Sequence, residues 1–147
     1  MLGKLLGTDS KDYLALWMRI ILGGVFSAHG AQKALGWFGG AGFSNTLIFF
    51  QNGLRIPVLF AVAAIIGELL AGLALLAGFL TRAAAVGIGV IMVTAVLMVH
   101  ARNGFFMNWL GNQAGEGFEY HLLALGLVAP LIARGGGAFS FDSTLTR

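Results

Sequence analysis

RIILGGVFSAHGAQK, Arg19 to Lys33, is the stretch around which the rest of the chain is read. It lies in an apolar run yet carries Arg19, His29, Gln32 and Lys33. At 100° per residue, Arg19, Phe26 and Lys33 fall almost in line on a helix, with His29 on the adjoining strip. Gly23, Gly24 and Gly30 keep the backbone between them thin. A helix in a bilayer with this much polarity along one side must turn that side toward protein, not lipid.

The composition places the helix in a membrane. Of 147 residues, 58% are hydrophobic and 10% are charged, and the mean hydropathy is +0.87. Soluble domains carry roughly 25% charged residues, so this chain lacks the surface to stay in water. A span needs about 20 apolar residues, and the length accommodates four with short connections as a single domain, 1–147. No cysteine is present. Disulfides, thiolate metal sites and thiol redox are therefore excluded within the chain, and electron chemistry would need a bound cofactor, a quinone or a partner subunit. The nine basic residues are scattered. They form no concentrated patch of the kind nucleic acid requires.

The spans are expected at about 13–35, 56–80, 83–101 and 119–133. Arg19 and the length of the first run argue against a cleaved signal peptide. Between spans one and two, residues 36–55 are glycine-rich and aromatic, and so is the stretch RNGFFMNWLGNQAGEGF from Arg102 to Phe118. Both are expected as interfacial or re-entrant loops. The tail from Arg134 reads as glycine-rich and polar. Lys4, Lys11, Arg82, Arg134 and Arg147 lie on the side of the termini, against Lys33, Arg55 and Arg102 opposite. The positive-inside rule then puts both termini in the cytoplasm. AHGAQKALGWFGG after span one echoes VHARNGFFMNWLGN after span three. A parallel repeat and convergent interfacial composition explain this equally well.

Glu68 stands in the middle of span two. A carboxylate or guanidinium at a helix centre costs roughly 2.5–3.5 kcal/mol. Arg19 is the expected partner within about two turns of depth, with Lys33 as the alternative nearer the outer end. The pair either fixes helix register or handles protons or a ligand. His29, His100, Glu119 and His121 approach the outer ends of three spans. Glu119 and His121, two apart, point roughly 200° apart. No HxxxH or HxxE spacing exists, which argues against a metal, while His29 and His100 match in depth as two axial haem ligands. Lys33 and His29, one turn apart, suit hydrogen bonding to a quinone or a small anion.

The ordered motifs HGxxK (His29 to Lys33), GELLAGLALLAGFLTR (Gly67 to Arg82), VH (Val99-His100), GFEY (Gly117 to Tyr120) and SFD (Ser140 to Asp142) resemble the DoxX family from about Leu16 to Asp142. The resemblance implies a small bacterial inner-membrane protein of four helices. Some relatives are linked to thiosulfate:quinone oxidoreduction, others to complexes handling oxidative or thiol stress. Its recurring polar positions match Arg19, His29, Gly30, Lys33, Glu68, Arg82, His100, Glu119 and Tyr120. Without cysteine, sulfur chemistry here would need a non-thiol mechanism or a partner.

The expectation is thus an all-α membrane protein, a four-transmembrane-helix bundle with two outer interfacial loops. Its first functional reading is a quinone-linked redox subunit, in which His29, Lys33, Glu68, His100 and Glu119 carry the chemistry and Arg19, Gln32 and Tyr120 hold the quinone. Its partners would be the bilayer and a redox subunit or a second copy. The alternatives are a non-enzymatic scaffold and, third, a small-solute transporter.

Overall fold

The computed structural model describes residues 5–146, which form helices joined by short loops, with no strand among them. Helix α1 is Tyr13–Leu35. A 3-10 turn at Trp37–Gly39 and the short helix α2, Gly42–Ile48, lead into a π-helical turn at Phe49–Gly53. Helix α3 is Val58–Ala77. Helix α4, Thr81–Ala95, continues through a π-helical turn at Val96–His100. Helix α5 is Glu119–Arg134 and α6 is Phe141–Leu145.

Local chemistry sets these limits. Asp12 accepts from the Ala15 N–H at 3.0 Å and caps α1, which ends at Gly36 in the left-handed region, φ 73°. Arg134 also donates to Asp12 at 2.6 Å. That guanidinium, with the Ala15 N–H, holds the Asp12 carboxyl below the ordinary range. Pro57 precedes the first turn of α3, and Gly78, φ 66°, ends it.

Three helical stretches are long and apolar enough to cross a bilayer: α1, α3 and Thr81–Asn103. Leu59, Leu97 and Leu123 are 73%, 74% and 73% exposed among many other bare apolar side chains. Such a surface belongs against lipid, not water. α5 packs against α1 and α4. At 16 residues it is about 24 Å long.

Helices α1 and α3 run antiparallel in close contact through glycines. A Cβ on Gly30 would lie 2.5 Å from Leu69 Cα, one on Gly72 2.4 Å from Ser27 N, and one on Gly23 2.9 Å from Gly72 O. Only a bare backbone fits these places. The contact also fixes register: Gly30 meets Leu69, and Gly23 meets Leu76. Buried Met18, Leu22 and Phe26 of α1 then join Leu75, Ile88, Met92, Val128 and Leu131 in one core.

This register overturns the expected Arg19–Glu68 pair. Glu68 lies level with the turn of Gly30, some dozen residues from Arg19, a separation of roughly 18 Å along the axis. Lys33 Nζ takes Glu68 Oε1 instead, at 2.5 Å.

Arg19, 2% exposed, is satisfied at the terminal end by backbone alone. Its Nε donates to Gly136 O at 2.8 Å. One terminal nitrogen donates to Leu75 O and Leu76 O at 3.2 and 2.7 Å, the other to Ala138 O and Phe139 O at 2.9 and 2.7 Å. All five guanidinium N–H groups are thereby used. Two acceptors are carbonyls at the partially negative end of α3, where Leu75 O also accepts from Gly78 N at 3.0 Å.

The tail is therefore not the loose polar segment its composition suggests. Ala138, Ser140, Asp142 and Ser143 are buried. Asp142 accepts from Leu80 N and Thr81 N at 2.8 and 2.9 Å. It caps α4 across 61 residues, and α4 accordingly begins at Thr81 rather than at the expected Ala83. The same bonds hold Leu80 at φ 48°, a region costly for a residue with a side chain. Arg82 donates to Ile132 O and to Ala133 O and Gly7 O, both at 2.7 Å, binding α4 to α5 and the lead-in.

Gly30→Leu should lower stability by about 3 kcal/mol, as overpacking against backbone does. Gly24→Ala, where nothing lies within 4 Å of the new Cβ, should be close to neutral. Melting temperatures in one detergent compare the two. Arg19→Gln should cost about 3 kcal/mol or more by stranding buried carbonyls. It should also release the tail, seen as new protease cleavage within residues 135–146.

Candidate functional site

Away from the terminal end, α1, α3, α4 and the start of α5 enclose a cavity of about 980 Å³. Its long walls are apolar, with Phe60, Ala63, Ala64 and Gly67 from α3 facing Gly87, Val90, Ile91 and Met98 from α4. Phe60, Val90 and Met98 are also 65%, 61% and 40% exposed on the apolar exterior. The cavity thus opens sideways between α3 and α4, toward lipid. A Cβ at Gly67 or Gly87 would meet nothing within 4 Å, so these glycines leave open space where those near Gly30 close it.

The α1 wall follows from helical spacing. Phe26, His29 and Lys33, at i, i+3 and i+7, share one stripe and all line the cavity. The Lys33 and Glu68 side chains are 32% and 4% exposed, so the ion pair stands with its carboxylate buried and its ammonium partly open. Tyr120 brings its ring to 6.2 Å from that of His29. The Tyr120 hydroxyl is buried without a partner.

His100 and His121 form the second polar feature. Their ring centroids lie 4.1 Å apart. The π-helical turn at Val96–His100 carries His100 to where its Nδ1 lies 2.8 Å from Glu116 O. A carbonyl can only accept, so His100 Nδ1 carries the proton and a neutral ring keeps its lone pair on Nε2. His121 is 5% exposed, and its Nδ1 has no partner. Ser27 Oγ, Thr81 Oγ1 and Arg82 Nε are also buried without a partner, and Tyr120 and His121 differ from them in lining the cavity.

The cavity thus gathers His29, Lys33, Glu68, His100 and Tyr120 of the expected residues, with His121 beside them. Three others lie elsewhere. Arg19 is held at the opposite end by carbonyls. Glu119 accepts from Met107 N and Trp109 Nε1 at 2.9 and 3.1 Å, and pins the second loop. Gln32 donates to Phe38 O at 3.4 Å. Arg55, at φ 56° on the exposed rim, was not among the expected site residues. Nor were Gly67 and Gly87, which carry no chemical group a sequence reading could weigh. Among the described residues no three His, Asp or Glu side chains gather as a metal-binding group.

Fold and cavity together define an all-helical integral membrane protein with a lipid-facing apolar chamber ending in ionisable groups. The family model DoxX matches residues 14–101, from the first turn of α1 to just past His100. The chain belongs to the DoxX family. No curated protein and no solved structure matches it.

Lys33→Met should cost about 3 kcal/mol by leaving the Glu68 carboxylate buried and unpaired. Lys33→Met with Glu68→Met should recover most of that loss, whereas adding Arg19→Gln to Glu68→Gln should recover none. Thermal unfolding of the two double-mutant cycles in detergent distinguishes these outcomes.

Proposed function

We propose that this protein is a quinone-linked membrane redox subunit whose cavity takes the ring and first tail segment of a lipid-soluble quinone. The observation that supports it is the lateral chamber of about 980 Å³, apolar along its length and polar at its buried end. A hydrophobic carrier diffusing in the bilayer would enter without crossing water. The volume is of the size that holds a small organic ligand. The unpartnered His121 Nδ1 and Tyr120 hydroxyl suit a head group with oxygens on its ring.

Bound quinone supplies two-electron, two-proton chemistry. The chain's own residues bind and orient it: Phe60 and Met98 at the entrance, Tyr120 and His121 at the inner end. His29 and His100 hold titratable nitrogens within the same chamber, and the Lys33–Glu68 pair fixes charge beside it. With no cysteine in the sequence, we place the redox partner of the carrier on another protein. In this reading α5 is a fourth span. The orientation is the one the charge count favours, with both termini in the cytoplasm and the cavity toward the outer face of a bacterial inner membrane.

Protein purified in mild detergent should retain quinone in its solvent extract or gain melting temperature on adding it. Gly67→Leu and Gly87→Leu fill open space, so each should abolish that gain while leaving the unliganded melting temperature within about 2 °C of wild type. Wild-type protein that neither retains nor responds to quinone would count for a non-enzymatic scaffold instead.

A further inference from the structure

Resting on that reading, we infer that the cavity is built for the reduced, hydroxyl-bearing carrier, a quinol, in preference to the oxidised quinone. The hydrogen-bonding atoms left free on the cavity wall decide this. Glu68 is 3% exposed, and Lys33 engages only its Oε1. No donor among the described residues reaches Oε2. A carboxylate oxygen accepts and never donates.

His100 has its Nδ1–H directed to the Glu116 carbonyl, which leaves it a lone pair toward the remaining space. His121 packs against it with an unpartnered Nδ1. The donors are placed differently. Lys33 is about one-third open, 32% by side chain, and already gives one N–H to Glu68 Oε1. Arg55 lies at the exposed rim. Tyr120, His29 and His121 each offer one donor and one acceptor, and so favour neither form.

A quinone presents two carbonyl oxygens, acceptors only. Seated at the buried end, it sets a carbonyl against Glu68 Oε2, acceptor facing acceptor, and leaves both without a donor. A quinol hydroxyl donates to Oε2, and its oxygen still accepts from the Tyr120 hydroxyl. Sites with a buried group awaiting a ligand hydroxyl discriminate strongly against analogues that lack it.

The test compares a decyl-substituted benzoquinone with its quinol, kept reduced under argon. Each is titrated calorimetrically into wild-type protein in one detergent, corrected for micelle partition. The quinol should bind at least about tenfold more tightly. Glu68→Gln, whose amide both donates and accepts, should shrink that ratio severalfold by weakening quinol and strengthening quinone. Equal affinities, or tighter quinone, overturn the inference while leaving a quinone site intact. Binding of neither form to folded wild-type protein overturns the reading of the cavity itself, and the preference with it.

Discussion

A charge in the apolar interior of this protein has no water to fall back on, and every packing decision in the bundle answers to that constraint. Two ionised groups on the facing helices meet it in opposite ways. Arg19 finds five backbone carbonyls, a neutral cage that matches its five donors. Glu68 finds one mobile ammonium and keeps an oxygen in hand. The first arrangement is complete and leaves nothing for chemistry. The second is incomplete, and it faces the cavity.

The glycine contacts tie these outcomes together. Because Gly30 lies on Leu69 and Gly23 near Leu76, α1 and α3 have one register, and in it Lys33 reaches Glu68 while Arg19 reaches the end of α3. The α3–α4 pair behaves differently along its length. Asp142 clamps the turn between the two helices, yet at Gly67 and Gly87 there is open space. One end of the molecule is cross-linked by buried hydrogen bonds, and the other holds a large hollow roofed by loops. The firm end positions the walls; the hollow end accommodates.

Much of this was legible in the residues, for identifiable reasons. Long apolar runs announced the helices, since few other structures satisfy backbone groups in lipid. The stripe through Phe26, His29 and Lys33 lines the cavity rather than packing wholly on protein, with Phe26 buried and His29 exposed, and the 200° separation of Glu119 and His121 sends one to the loop and the other to the cavity. What remained hidden depends on three-dimensional contact. Register between two helices is set by which glycine meets which backbone, and the sequence offers several glycines that could serve. The acceptors of Arg19 are carbonyls, which every residue has and no sequence pattern displays. For the same reason Gly136 to Phe139 read as a linker and proved to be half of a buried lock.

That lock has a consequence for how the molecule comes into being. Three of the five oxygens that surround Arg19 belong to Gly136, Ala138 and Phe139, residues translated more than a hundred positions downstream. Helices α1 and α3 are complete in the growing chain well before those oxygens exist. A nascent chain therefore carries an incompletely paired guanidinium until Phe139 has been added, and the Arg19 cage cannot close before then. Ribosomes that stall or release early would leave a protein with its spans in place and its central cation exposed, a chemically distinct target for membrane quality control.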